Sequence, residues 1–378
     1  MTVHAPVKAA GRSQRYAYAD NLKTLMVAAV IIAHVMMAWT GVGTWVFREG
    51  PVREPLLSVL SLLTVVGGLY GLALFFVIAG MFTPRSLRRK GTGRFLLDRT
   101  IRLGVPMLFF VIVLSPFVEY ADPDAAGWDR GFAAFAVHTW WPPAPGPTWF
   151  LGVLLLFSFA YAAFRAVRPE PASRRGPLTV RHIVMMAAAI AAASYVVRLG
   201  VPLAEERWHL ALGQAPAWAG AFTFGVVGGE RGWFDSLSPA VVRASRRLVL
   251  VPLACLVPVV LFVVVTHGAP EAFLGGGTWQ SLLVAVVEGI VLISLSLWLL
   301  DVFRRRYNHQ GRLAREMSRA AYAAFILHQI VLVGLVLATR EVSWPPEMDF
   351  LAVAVLGVTV SFGIGSLLAR LPGVRRVV

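Results

Sequence analysis

The chain has 378 residues, of which 57% are hydrophobic and 15% charged, whereas an ordinary soluble protein has about 45–50% and about 25%. A water-soluble core does not hide that much apolar surface. The 35 Lys and Arg against 20 Asp and Glu give a formal charge of +15, but the cations stand in short clusters between apolar runs, a pattern that argues for basic membrane-protein loops and against a nucleic-acid partner.

A spanning helix needs roughly 20 mostly apolar residues. The sequence predicts about ten, an all-α polytopic bundle with both termini cytoplasmic, centred near Ile31, Leu72, Phe110, Leu155, Ala189, Phe224, Leu256, Leu292, Leu327 and Val358. The first follows Lys8, Arg12 and Arg15 as a signal peptide would, but its apolar run outlasts a cleavable segment of about 7–15 residues, so it reads as a retained span. The sixth, Ala217 to Gly229, is the weakest, being short and rich in glycine. Alternation of the loops supports it. The N-terminus, the connections Arg85 to Arg102, Arg165 to Arg181, Arg231 to Arg247 and Arg304 to Arg319, and the tail with Arg375 and Arg376 are basic. Between them lie neutral or acidic connections, such as the one carrying Asp122, Asp124 and Asp129. Miscounting one span would break this pattern from that point on. The longest connection, Tyr120 to Gly146, is too short for a further domain of about 50 residues. The expectation is one membrane-embedded domain over residues 1–378, with spans from about 15 to 370. The lone Cys255 lies in an apolar run and excludes both an internal disulfide and a cysteine-based metal cluster.

Ionisable groups inside spans are costly and mark function by default. His34 is the only one within Leu25 to Trp39. It lies eleven residues beyond Lys23, so about 16 Å deeper and within roughly 20° of the same helix face. Asp20 lies close to that face and is placed to cap the helix start. A packing histidine hydrogen-bonded to a neighbouring helix fits the same pattern. His328, in Ala320 to Gln329, reaches a similar depth, so that both imidazoles could line one cavity; a packing contact is its other reading. Glu288, in the eighth span, is either a proton-handling group or the partner of a buried cation. Arg99 and Arg102, three residues apart immediately before a helix, share a face suited to bidentate phosphate contact, and equally serve as topology signals. The stretch His138-Thr-Trp-Trp-Pro-Pro and Trp149 offer rings for stacking on sugars, or form an interfacial aromatic belt. No phosphate-loop, His-Glu-x-x-His or Gly-x-Ser-x-Gly signature occurs, and no internal repeat of the kind that builds many transporters is visible.

These residues, taken in order, resemble the acyltransferase 3 family of integral membrane acyltransferases, including its glucan succinyl-transferring and O-antigen acetylating members. The likeness rests on Tyr18-Ala-Asp20-Asn-Leu-Lys23 with His34, Leu74-Phe-Phe-Val-Ile-Ala-Gly80, Arg94-Phe-Leu-Leu-Asp-Arg99-Thr-Ile-Arg102-Leu-Gly-Val-Pro106, Thr148-Trp-Phe-Leu151 and Ala321-Tyr-Ala-Ala-Phe-Ile-Leu-His328. Each is weak alone; their order over ten spans is specific. Lys23 stands where many members have arginine, and Ala79 where a serine is common. The resemblance implies transfer of an acyl group, usually acetyl or succinyl, from cytoplasmic acyl-CoA to a hydroxyl of an extracytoplasmic carbohydrate or related acceptor in the cell envelope. Acyl-CoA is then a co-substrate and no cofactor is permanently bound. His34 would be the general base, or would carry the acyl group transiently, and Arg99, Arg102 and Lys23 would hold CoA phosphates. Asp20, His328, Glu288 and Trp149 are the remaining candidates, as neighbours of the base or acceptor contacts. The rival class is a proton-coupled transporter or flippase in which His34, His328 and Glu288 form a relay. It leaves the Arg99 and Arg102 pair without a task.

Overall fold

The computed structural model describes residues 16–121, 131–138, 144–168, 176–265 and 269–374. Lys8, Arg12, Arg15, Asp122, Asp124, Asp129, Trp140, Trp141, Arg375 and Arg376 lie outside them. The described residues form helices α1 (Ala17–Thr40), α2 (Leu56–Lys90), α3 (Thr92–Tyr120), α4 (Gly131–His138), α5 (Trp149–Val167) and α6 (Val180–Arg198). They continue through α7 (Ala215–Arg231), α8 (Pro239–Val265), α9 (Trp279–Arg306), α10 (Arg312–Thr339) and α11 (Pro346–Leu368). Each of the ten predicted centres falls inside one of these helices, and α4 sits within the longest connection. Among the described residues, eight helices are long and apolar enough to cross a membrane, with mean hydropathies of 1.7 to 2.4. The two predicted spans outside that set are α7, which has 17 residues, and α8.

Packing explains why α7 is short of apolar side chains. It lies against α2 with backbone on backbone. A Cβ on Gly225 would stand 2.2 Å from the Val77 carbonyl oxygen, one on Gly229 2.4 Å from that of Met81, and one on Gly80 2.3 Å from that of Phe222. Small residues permit this close approach between membrane helices, where no water is expelled to drive association. The glycines that lower the hydropathy of α7 are therefore its packing surface. Helices α9 and α10, each 61% buried in their apolar windows against 28% to 44% for the other six spans, form the centre of the bundle. Outer faces carry exposed Leu62, Leu63, Leu108, Phe109 and Phe262, the apolar surface that lipid covers.

The connections segregate to two ends. At one end the Asn21 side chain donates to the Tyr307 and His309 carbonyls at 2.7 and 2.9 Å, Arg85 reaches the Tyr16 hydroxyl at 2.6 Å, and Arg304 donates to the Asp235 carbonyl at 2.8 Å. Arg165, from the last turn of α5, pairs with Glu230 of α7 at the same end. These are the basic connections of the sequence. At the other end Thr44 donates to Glu206 at 2.7 Å, the Arg53 amide to Glu347 at 2.9 Å, and Arg340 pairs with Glu49 at 2.6 Å. At about 1.5 Å per residue the 35-residue α2 is about 52 Å long, well beyond a hydrocarbon layer of about 30 Å, so its Arg88-Arg89-Lys90 end projects from it. Helix α1 stops at Gly41, whose left-handed φ of 67° lets its amide close on the Met37 carbonyl.

Candidate active site

A cavity of about 410 Å³ opens among α1, α2, α3, α5 and α10, with Asp20, Lys23, Arg99, Arg102, Arg319 and Tyr322 in its lining. Four cations therefore face one carboxylate. Lys23 pairs with Asp20 at 2.8 Å within the first turns of α1. The helix begins at Ala17, so Asp20 lies inside its first turn and neutralises Lys23 instead of capping the start. Arg99 lies over the Phe95 ring, 5.2 Å from its centre, and donates to the Thr83 hydroxyl at 3.3 Å, while its buried Nε has no partner. Arg102 is held by Asp98 at 3.1 Å, which Lys90 also reaches at 2.6 Å.

The two arginines lie inside a continuous helical run rather than before a helix, and Arg102 falls within a π-helical segment, Thr100–Gly104. Wider turns of this kind concentrate at functional sites. Sequence accounts for the irregularity. Pro106 has no N–H to offer the carbonyl of Arg102 one turn earlier, and the Tyr322 hydroxyl from α10 donates to that carbonyl instead. The arginine-bearing turn is thereby tied to the central helix.

His34 and His328 meet beside this cavity without lining it. Their ring centres are 4.9 Å apart, and His328 Nε2 stands 3.3 Å from His34 Nδ1. Phe325 connects the two places: it lines the cavity, its ring lies 5.9 Å from that of His328, and its carbonyl is 2.6 Å from His328 Nδ1. A carbonyl only accepts, so His328 carries its proton on Nδ1 and turns an Nε2 lone pair toward His34. His34 Nδ1 in turn stands 2.9 Å from the Val30 carbonyl. It must donate there, which leaves His34 Nε2 with a free lone pair, the atom a general base uses. On the other side, the Trp45 ring is 5.0 Å from that of His34. Trp45 belongs to the connection after α1, which folds back so that the Glu49 amide donates to the Ala38 carbonyl at 3.0 Å.

The remaining candidates lie elsewhere. Glu288 binds Arg198 of α6 at 2.7 Å, both fully buried, and takes the second of its two sequence readings, the partner of a buried cation. Trp149 packs on Trp218 with ring centres 4.5 Å apart. Sequence reasoning missed Arg198, Arg319, Tyr322 and Trp45. Arg198 did leave a signal: it is an arginine at the non-basic end of a span. Tyr322 and Trp45 left none, since tyrosine and tryptophan near span ends are ordinary belt residues.

No curated protein and no solved structure matches the chain. A family model described as acyltransferase domain, Acyl_transf_3, matches residues 16–370. That match runs from the first described residue to just past α11 and takes in the cavity and the histidine pair, so the chain belongs to this family and is an acyltransferase embedded in a membrane.

Proposed function

We propose that the protein transfers an acyl group, acetyl or succinyl, from cytoplasmic acyl-CoA to a hydroxyl of an extracytoplasmic carbohydrate or related acceptor in the cell envelope, with His34 as general base. The observation that carries this reading is a four-cation cavity one phenylalanine away from a histidine whose Nε2 is free. The shared position of the basic connections supports making that end cytoplasmic. Acyl-CoA is then the donor that suits the cavity: guanidinium groups grip phosphate bidentately, the buried Nε of Arg99 has no partner, and Lys23 and Arg319, paired with Asp20 and Glu316, line the same space. The acceptor approaches from the opposite end past Trp45. Its hydroxyl oxygen attacks the thioester carbonyl while His34 Nε2 takes the hydroxyl proton. The tetrahedral intermediate then expels the CoA thiolate, which recovers that proton from the His34 imidazolium, and an ester is left on the acceptor.

The test is His34→Ala in purified, reconstituted protein with radiolabelled acetyl-CoA or succinyl-CoA and a cell-envelope glycan fraction. Transfer should fall about 10²- to 10⁴-fold with donor binding intact. Retention of more than about a tenth of the turnover, an effect on the barrier below about 1.4 kcal/mol, would exclude His34 as base.

A further inference from the structure

His328 is fully buried, makes no contact with the cavity, and has one nitrogen committed to the Phe325 carbonyl at 2.6 Å. Its other nitrogen points at the one atom of His34 that does not take up the acceptor's proton, at 3.3 Å. We propose that His328 is a positioning residue for the reaction: its Nε2 lone pair holds the His34 ring with Nδ1–H inward and Nε2 outward, and shares the charge when His34 becomes imidazolium. The proposal rests on the reading of His34 as base and adds a function for its neighbour.

The chemistry follows from counting donors and acceptors. Neutral imidazole has one N–H and one lone pair. With the proton of His328 fixed on Nδ1, a His34 ring carrying its proton on Nε2 would set its own Nδ1 lone pair against two others, those of the Val30 carbonyl and of His328 Nε2. The Nδ1–H form removes this conflict with one hydrogen shared between two acceptors. The two acceptors are not equivalent. The Val30 carbonyl belongs to α1 itself, one turn below His34, and moves with it. The His328 lone pair belongs to α10, so it alone fixes His34 relative to the wall that carries Phe325, Tyr322 and Arg319. When the acceptor proton arrives at His34 Nε2, the Nδ1–H···Nε2 contact becomes charge-assisted and strengthens, so it acts in the transition state more than in the ground state. The aspartate of a catalytic triad does this with a negative charge. Here a neutral lone pair serves, which avoids burying a carboxylate among apolar helices.

Two measurements test it. The first needs no activity: in protein labelled with nitrogen-15 histidine and reconstituted in lipid, His34 and His328, assigned by loss of their signals in His34→Asn and His328→Gln, should both show the Nδ1–H tautomer. A His34 signal from the Nε2–H tautomer overturns the proposal, whatever the role of His34 in turnover. The second measures transfer from radiolabelled acetyl-CoA. His328→Leu, which has no acceptor, should lower kcat roughly 10- to 100-fold, the span expected of a hydrogen bond to a charged group, with KM for the donor unchanged. His328→Gln, whose amide oxygen can reach the place of Nε2, should restore most of that loss. Equal turnover in His328→Leu and wild type would overturn the proposal, as would a Gln variant no better than Leu at the same melting midpoint. If instead His34→Ala stays active, the base reading fails by its own test.

Discussion

Replacing Glu288 by Leu should destabilise the protein sharply, whereas replacing its partner as well should not. Arg198 and Glu288 are 2.7 Å apart with no exposed surface, and Arg198 Nε also donates to the Gly213 carbonyl at 3.0 Å. Glu288→Leu leaves a guanidinium buried without its counter-charge, which costs about 3–5 kcal/mol. With an unfolding entropy of roughly 2.1 cal/mol/K per residue over the whole chain, that becomes a fall of about 4–6 °C in melting midpoint. The double variant Arg198→Met with Glu288→Leu removes both charges and fills the space with similar volumes, so it should melt at or above the wild-type midpoint. The assay is tryptophan fluorescence on heating in detergent, beside acyl transfer. A Glu288→Leu variant melting within about 1 °C of wild type, less than 1 kcal/mol on that scale, would show that the pair does not exist as described. A double variant that melts like wild type and no longer transfers would return Glu288 to the chemistry and revive the proton relay.

Gly225→Leu should abolish the folded yield on a fluorescence-detected gel-filtration profile, because even a Cβ there meets the Val77 carbonyl at 2.2 Å; a monodisperse peak at wild-type yield would refute the backbone-on-backbone packing of α7 on α2. Tyr322→Phe removes the donor to the Arg102 carbonyl and should cost about 1 kcal/mol of stability while raising KM for acetyl-CoA, since the turn that carries Arg102 is released; an unchanged KM would separate that turn from donor binding. Arg99→Ala with Arg102→Ala should weaken acetyl-CoA binding in isothermal titration, and wild-type affinity should fall with added salt because the contacts are electrostatic; equal affinity in variant and wild type would leave both arginines as topology signals.

Much of the fold was legible because a bilayer makes secondary structure follow composition: with no water in the core, each spanning stretch must satisfy its own backbone, and a helix does so. Loop charge argued for a sixth span against its own poor hydropathy, and a helix of 17 residues, α7, stands there, outside the eight that are long and apolar enough to cross a membrane. What the sequence concealed was the reason for that weakness, since Gly225 and Gly229 read as helix-weakening residues until the Val77 and Met81 carbonyls are seen against them. Depth arithmetic along α1 and α10 set His34 and His328 at one level, and the structure has their rings 4.9 Å apart. The same arithmetic says nothing of rotation about a helix axis, and that is where Glu288 escaped it. Glu288 shares the membrane interior with the two histidines, but it lies on α9 facing α6, and Arg198 meets it there.

The irregular third span gives the most general lesson about where sequence reasoning stops. To place Arg99 and Arg102 on one regular helix face needs 3.6 residues per turn. Pro106 breaks that premise locally: it denies the Arg102 carbonyl its usual donor, the chain widens over Thr100–Gly104, and the carbonyl takes a hydrogen from Tyr322 on another helix. The proline was in plain view, and so was the tyrosine. The Arg102 carbonyl and Tyr322 are 220 residues apart in the chain, so their contact became visible only when packing brought α3 against α10. That contact borders the cavity: Arg102 and Tyr322 both line it, with Arg319 and Phe325, and Phe325 is the residue on which His328 rests.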